Sequence, residues 1–351
     1  LSTLAELADG LNLSSTDLQQ GQLQIPQYSA YYVDQVLRDG GEALTVQRDM
    51  NFRSLIRNLK NYEDSDDEVP AGLQTTLRQY QQVGYQWLMT LLRMGLGGIL
   101  ADDMGLGKTV QVIAVLLAQS EKLQDKPALI VTPASLVYNW ESELQRFAPT
   151  LTVQAITGTA AERKKLLQQS AAQVLLTSYD LLKRDVEQYQ QQQYSLLVID
   201  EAQNIKNHAT KAAKAVKSLR ADNRFALTGT PIENRLSELW SIFDFLLPGM
   251  LGQYEAFRQN YELAIVQQND EVTLKRLQKM IQPFILRRLK QDVLKDLPEK
   301  IENTVYSKMD TAQRTLYVAN VQQMLDKLNH KTEAEVHSEK LQILAELTRL
   351  R

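Results

Sequence analysis

The sequence predicts an α/β domain: a doubly wound parallel sheet flanked by helices. Three observations predict it. Short apolar runs alternate with amphipathic helices through the middle of the chain. The runs are continuously apolar, as strands buried on both faces are. The first of them breaks into a glycine-bearing turn and then a long apolar helix, in "GGILADDMGLGKTVQVIAVLL", Gly97 to Leu117. Right-handed crossovers make such a pattern doubly wound.

Residues 1–60 are mixed and polar, and "AYYVDQVLRDGGEAL" and "NFRSLIRNLK" read as short helices or strand edges. "YEDSDDEVP" follows, with Glu63, Asp64, Asp66, Asp67 and Glu68 in one block that ends in Pro70. Like charges closed by proline predict a solvated linker. Residues 1–69 are therefore expected to be a small accessory region with its acidic linker. "TTLRQYQQVGYQWLMTLLRMG" then carries a helical stripe at Tyr80, Val83, Trp87, Leu88, Leu91 and Leu92, with Gly95 as its stop.

Strands are expected at Ile99–Ala101, Ala128–Val131, Val153–Ile156, Val174–Leu176, Leu196–Ile199 and Phe225–Leu227. Between them, helices are expected at Val110–Leu123, Leu136–Phe147, Ala160–Gln169 and Lys211–Leu219, and this lobe is expected to span 70–296. From about Leu236 the pattern turns helical. The stretch from Lys275 to Lys300 is locally basic, with eight Lys or Arg against three Asp or Glu. Asp310 with Gln313 forms the signature of a capping box for a helix running to about Leu328. Residues 297–351 read as a mostly helical extension.

Composition narrows the chemistry. The 351 residues contain no Cys, which excludes a disulfide scaffold and a thiolate metal site. His208, His330 and His337 are scattered, and the last two read as surface residues rather than a metal pair. No stretch approaches the ~20 apolar residues of a membrane span, so no membrane partner is expected. A formal net charge of -3 argues against a uniformly basic coat but leaves room for a local basic groove. The chain starts at Leu1 and stops at Arg351 inside an amphipathic pattern, so a piece of a longer protein is expected.

The turn after the first strand has the makings of a phosphate cradle. Glycines let main-chain N–H groups converge on phosphate oxygens, and the next helix N-terminus adds its positive dipole end. Gly105 and Gly107 supply the turn, Lys108 can reach the β- and γ-phosphates, and the Thr109 hydroxyl can bind Mg²⁺. The strict P-loop pattern has Gly where this chain has Asp102. A second element supports the first. "SLLVIDEAQNIKN" puts Asp200 and Glu201 at the end of an apolar strand, the end that faces the ligand crevice of an α/β sheet. Asp200 can hold Mg²⁺ through water, and Glu201 can polarise an attacking water. The paired acids follow a P-loop in one alternating domain, and together they point to ATP or GTP. The bland alternative is a structural glycine turn beside a surface carboxylate pair.

"LADDMGLGKT", "DEAQNIKN" and "LTGTPIENRLSELWSIFDFL", in this order, resemble the SWI/SNF-type branch of superfamily two helicase-like ATPases, from about Leu77 to Asp296. The resemblance implies a RecA-like lobe and ATP with Mg²⁺. It implies that Asp103, Met104, Gly105, Gly107, Lys108, Thr109 and Gln203 surround the nucleotide, and that Lys108, Asp200 and Glu201 carry catalysis, with Thr109 and Asp200 on the metal. "LRQYQ" resembles the adenine-reading block, implying that Gln81 bonds adenine. "ALIVTPASLVYNW" and "LLTSYDLL" resemble blocks that hold a DNA backbone, which nominates Ser135, Thr177 and Ser178. Each of those three alone is more often a turn or cap residue. "ALTGTPIEN" resembles the block that couples hydrolysis to strand movement, nominating Thr228, Gly229 and Thr230. The family's acid box usually ends in His, whereas Gln203 stands here.

The resemblance further implies an ATP-driven double-stranded DNA translocase that remodels protein–DNA complexes. A bacterial, cytoplasmic, nucleoid-associated monomer is expected, acting on a DNA-bound protein. Related motors that displace a stalled polymerase or serve restriction would share these blocks. The competing class is a nucleotide-gated DNA- or protein-binding scaffold without motor activity. The resemblance implies that residues 297–351 are the truncated start of a second lobe whose arginine fingers lie beyond Arg351, so this piece is expected to bind ATP and hydrolyse it slowly. Trp140 reads as packed core rather than a stacking residue. Lys206, Lys211, Lys214, Lys217, Arg220 and Arg224 read as a wet helix face, and Arg287, Arg288 and Lys290 either contact DNA or clamp the hinge.

Overall fold

Of the chain, the computed structural model describes residues 2–11, 13, 24–40, 46–229, 235–293, 306–329 (backbone alone for 327–329) and 348. Two compact units are present, Leu1–Lys295 and Asp296–Arg351.

Among the described residues, the first unit opens with the helices α1 (Ser2–Gly10), α2 (Ala30–Asp39) and α3 (Met50–Lys60). Asp49 caps α3 by accepting the Phe52 N–H at 2.7 Å. The fully buried Asp34 on α2 is neutralised by Arg38, Arg48 and Lys60 at 2.9, 3.0 and 3.2 Å, as a buried carboxylate must be. In the acidic stretch that follows, Glu63, Asp64, Asp66 and Glu68 are exposed, as a solvated run predicts, yet the stretch is also tied to the next helix. After the single turn Tyr62–Asp64 it runs extended, and Asp67 turns inward. Asp67 pairs with Arg93 at 2.7 Å, and the Glu68 carbonyl accepts the Tyr85 hydroxyl at 3.0 Å.

Both Arg93 and Tyr85 belong to α4 (Gln79–Arg93), the predicted striped helix. Gly95 ends it with φ of 65°, and the Leu96 N–H reaches back to the Leu91 carbonyl at 2.9 Å while the Gly95 N–H bonds Leu92. This pair of bonds is the Schellman stop.

The alternating core then runs β1 (Gly98–Leu100), α5 (Lys108–Ala118), α6 (Lys122–Asp125), β2 (Ala128–Thr132), α7 (Val137–Phe147), β3 (Val153–Ala155), α8 (Ala160–Gln169), β4 (Val174–Ser178), α9 (Tyr179–Tyr189), β5 (Gln193–Ile199), α10 (Lys211–Lys217) and β6 (Arg220–Leu227). The strands form one parallel sheet in the order β3-β4-β2-β5-β6-β1-β7. All six predicted apolar runs are strands of it. Every residue of β2 and β4 is buried, because helices cover both faces. Trp140, Tyr85, Tyr194, Phe225 and Phe243 are among the largest side chains sealed in the core.

After β6 come α11 (Leu236–Leu246), α12 (Tyr254–Phe257), a π-helical turn Arg258–Glu262, α13 (Leu263–Gln268) and α14 (Glu271–Ile281). Arg276 and Lys279 of α14 pair with Asp9 and Glu6 of α1 at 3.3 and 3.2 Å, and Lys279 also meets Asp39 at 2.7 Å. The expectation of an all-helical region here misses β7 (Ile285–Leu286), which pairs in parallel with β1 at the sheet edge. A two-residue strand has too few residues to show a period. α15 (Lys290–Val293) follows.

In the second unit, α16 (Thr311–Asn329) starts with the expected capping box. The Gln313 N–H bonds the Asp310 carboxylate at 2.8 Å, and the Asp310 N–H meets Gln313 Oε1 at 3.4 Å. Among the described residues no helix is long and apolar enough to cross a membrane.

Candidate nucleotide-binding site

β1 ends at Leu100, and the chain turns through residues 101–107 into α5. Gly105 and Gly107 take φ of 83° and 77°, a region that L side chains rarely enter. Gly107 is the cap position of α5, so the first N–H groups of a buried apolar helix open onto the loop. Lys108 folds back over this loop. Its Nζ donates to the Asp102 carbonyl at 2.7 Å and to the Asp103 carbonyl at 3.4 Å. Burial pulls its ammonium below the ordinary lysine range, opposed by the nearby acids Asp102, Glu201, Asp200 and Asp103. Thr109 is half-buried in the first turn of α5, and Met104 is exposed at the loop tip.

Asp102, the departure from the strict pattern, is built into the protein. It is fully buried, and Arg288 grips both of its oxygens, Nε to Oδ1 at 2.8 Å and Nη2 to Oδ2 at 2.5 Å. Gln111 donates to Oδ2 at 3.1 Å and accepts from Arg288 Nη2 at 2.8 Å. Arg288 also donates to the Tyr80 carbonyl and lies over the Tyr80 ring. The Asp103 N–H continues the β1–β7 ladder to the Arg288 carbonyl at 3.0 Å, and the Asp103 carboxylate accepts the Lys290 N–H at 3.0 Å. Of the three cations left open between DNA contact and hinge clamp, Arg288 is a clamp on the P-loop, whereas Arg287 stays exposed.

Gln81 is buried against the same loop. Its Oε1 accepts the Arg78 N–H at 2.9 Å, and its Nε2 donates to the Leu106 carbonyl at 3.0 Å and the Tyr80 hydroxyl at 3.4 Å. Both amide hydrogens are thereby used, and Oε1 keeps one acceptor position for a ligand.

β5 delivers the acid pair. Asp200 extends the β2–β5 ladder, its N–H reaching the Val131 carbonyl at 2.8 Å. Its Oδ2 accepts from the Trp140 indole at 2.8 Å and the Thr132 hydroxyl at 3.4 Å, and its Oδ1 accepts the Glu201 N–H at 2.9 Å. Burial pushes its carboxyl above the ordinary aspartate range, against the Trp140 and Glu201 donors. Glu201 sits at φ 51°, ψ 59°, a left-handed conformation that a non-glycine residue holds only when its surroundings impose it. Gln203 donates to the Glu201 carboxylate at 2.6 Å and accepts the Thr228 hydroxyl at 3.2 Å. Gln203 therefore bridges the acid box to the segment after β6. Gly229 lies beside Met104, and Thr230 is outside the described residues.

The three DNA candidates separate. Ser135 is exposed in the single turn Ala134–Leu136 ahead of α7. Thr177 is fully buried on a strand buried on both faces, and its hydroxyl oxygen accepts the Tyr189 hydroxyl at 2.7 Å. Ser178 is buried as the cap of α9, accepting the Leu181 N–H at 3.3 Å. Among the basic residues after the acid box, Lys211, Lys214 and Arg220 are exposed. Lys217 instead pairs with Asp244 at 2.8 Å, and Arg224 donates to the Phe245 and Leu219 carbonyls at 2.8 and 2.7 Å. His208 stacks among Trp240 and Tyr254, and His330 and His337 are outside the described residues.

Sequence reasoning missed Arg288, Gln111 and Tyr179 as members of the site and read Trp140 as packing alone. "YNW" and "TSYD" did carry a signal, since each places an aromatic donor just after an expected backbone-contacting serine.

Comparison with known proteins agrees with this geometry. Residues 80–351 match the SNF2-related domain, and residues 1–70 match the domain described as bacterial SNF2 helicase associated. The chain is 39% identical over 359 residues to the putative ATP-dependent helicase/translocase YwqA of Bacillus subtilis (strain 168), covering 100% of this chain and 38% of that protein. It is 40% identical over 275 residues to the TATA-binding protein-associated factor MOT1 of Saccharomyces cerevisiae, covering 72% of this chain and 15% of that protein. The solved Sulfolobus solfataricus SWI2/SNF2 ATPase core in complex with dsDNA superposes with a TM-score of 0.59 at 39% identity, covering 78% of this chain and 58% of that one. Well under half the length of these two curated relatives is thus spanned. A P-loop on β1, an acid pair on β5 and a matching domain over residues 80–351 place this chain in the SNF2-related family.

Proposed function

We propose that this chain is the nucleotide-binding part of an ATP-driven motor that moves along double-stranded DNA and remodels DNA-bound proteins. The observation that carries the proposal is the strand order. β5, β6 and β1 are neighbours, so the acid box, the coupling segment and the P-loop emerge side by side at the same ends of parallel strands. That edge is where ligands bind in open α/β sheets.

Each residue has a role there. Gly105, Gly107 and the start of α5 receive the phosphates of ATP, and Asp103 and Met104 shape the loop around them. Lys108 moves from the Asp102 carbonyl to the phosphate oxygens. Gln81 uses the free acceptor position of Oε1 for the adenine amino group. The donors fit Mg²⁺: a buried carboxylate at Asp200, held by neutral N–H donors, and a hydroxyl at Thr109. Bound there, Mg²⁺ neutralises charge on the phosphates. Glu201 orients the attacking water, and Gln203 with Thr228 ties that carboxylate to the coupling segment. Ser135 is the exposed hydroxyl that meets the DNA backbone, with Ser178 behind it fixing α9.

The relatives' printed names support the class: one is a helicase/translocase, and one solved neighbour is an ATPase core bound to dsDNA. The chain's own expected behaviour is nucleotide binding with slow turnover. The domain limits proposed are 1–69, 70–296 and 297–351, in a bacterial nucleoid-associated protein. Calorimetric titration with Mg·ATP tests the site: saturable binding that Lys108→Ala abolishes is expected, and equal binding by both forms would overturn the assignment.

A further inference from the structure

Asp200 is held from two directions by residues outside the nominated site. The first hold comes through α7. Ser135 is exposed in the turn that leads into this helix, and five residues on Trp140 is almost wholly buried, its indole N–H aimed at Asp200 Oδ2 at 2.8 Å. The second comes through α9. Ser178 caps this helix, and the next residue, Tyr179, is buried with its hydroxyl on the Asp200 carbonyl at 2.8 Å. One residue, on β5, therefore takes a side-chain bond from the first expected backbone-contacting block and a main-chain bond from the second. Thr132 and Ser178, at the ends of β2 and β4, are register partners, so the two blocks also share one ladder.

We infer that Trp140 and Tyr179 are positioning residues that link the hold on DNA to the placement of the Asp200 carboxylate. The physical reason is the geometry of the bonds. Asp200 Oδ2 has the indole and the Thr132 hydroxyl as donors, and Oδ1 has the Glu201 N–H. This arrangement fills both acceptor directions of Oδ2 and leaves Oδ1 one direction free. A hydrogen bond weakens steeply with distance and misalignment, so a small shift of α7 or α9 rotates that free direction. Contact with a DNA backbone at Ser135 or at the start of α9 acts on those helices. A rigid helix transmits such a shift because its buried side chains repack in steps rather than continuously. The linkage is reciprocal by thermodynamic necessity: whatever DNA does for the metal–nucleotide, the metal–nucleotide does for DNA.

The inference rests on the proposed roles of Asp200 and Ser135. Its test is the ratio of two affinities, measured on the 351-residue chain with a fluorescent non-hydrolysable ATP analogue and Mg²⁺, with and without a short DNA duplex. DNA is expected to change the analogue's affinity by roughly tenfold, within the usual range of coupling. Trp140→Phe and Tyr179→Phe each keep a buried ring and remove one donor, and each is expected to bring the ratio close to unity. A purely structural role would weaken both ligands and leave the ratio alone. Tyr179→Phe loses only a hydroxyl, so it keeps the test open if Trp140→Phe folds poorly. An unchanged ratio in the variants overturns the inference. So does a wild-type chain that binds both ligands without linkage, while the reading of the site survives that result. Absence of any Mg-dependent analogue binding overturns both.

Discussion

Arg288 closes the Nε/Nη2 edge of its guanidinium on both carboxylate oxygens of Asp102, 186 residues earlier in the chain. Asp102 is fully buried and the Arg288 side chain is only 12% exposed, so the pair has little solvent to screen it. It joins the segment that follows β7 to the loop that opens α5. The same loop carries the carbonyl on which Lys108 rests.

Removing Arg288 leaves a buried carboxylate without its cation. Arg288→Ala is expected to cost about 3–5 kcal/mol of stability and to weaken nucleotide binding. The double variant Arg288→Ala with Asp102→Asn should recover much of that loss. Chemical denaturation of the four forms gives the coupling energy, and additive effects would contradict a direct pair.

Gly84 sits mid-helix in α4, where alanine ordinarily stabilises by roughly 1 kcal/mol. Here a Cβ would lie 1.8 Å from Gln111 Oε1 and 2.7 Å from Arg288 Nη2. Gly84→Ala is therefore expected to destabilise, by about 1–3 kcal/mol, and to displace the Arg288–Asp102 cluster. Thermal unfolding decides the sign, and a stabilised variant would show that the cluster has room to move.

Glu201→Gln keeps the shape of the acid box and removes its charge. It should still bind Mg·ATP and should lose whatever hydrolysis DNA stimulates, by roughly 10²–10⁴-fold for loss of a positioned base. Phosphate release on the wild type and the variant checks this. A nucleotide-gated scaffold would show neither stimulation by DNA nor loss in the variant.

Asp200 gives a pH dependence. Burial raises its folded carboxyl above the ordinary value of 3.8, so between those two values the folded chain holds more protons than the unfolded one. Stability from this group is then present at low pH and is lost as pH rises through the window. Asn carries no charge to desolvate and still accepts the Trp140 N–H. In EDTA, Asp200→Asn should gain on the wild type as pH rises from 3.8 through the raised folded value, while losing Mg-dependent nucleotide binding. Denaturation series at several pH values test the trend, and a gap that narrows toward neutrality contradicts it.

Local pattern was enough for six strands, for the glycine turn and for the acid pair, because each of these is written in residues close together in the chain. The stop at Gly95 and the Asp310 cap were legible for the same reason. The seventh strand was not, since Ile285–Leu286 offers two residues and no period. The burial of Thr177 was not legible either, because a hydroxyl beside a serine in a motif says nothing about what packs over it. Burial on both sheet faces decided that.

By itself, then, the order of residues determined an α/β lobe with a phosphate-binding turn and a carboxylate pair, because backbone conformation and hydrophobic period act over a few residues. Only the tertiary structure decided what holds those parts to one another: Arg288 on Asp102, Gln203 between Glu201 and Thr228, Trp140 and Tyr179 on Asp200. Most of these partners lie tens to hundreds of residues apart in the chain. Their bonds form only when a parallel sheet brings the ends of non-consecutive strands to one edge.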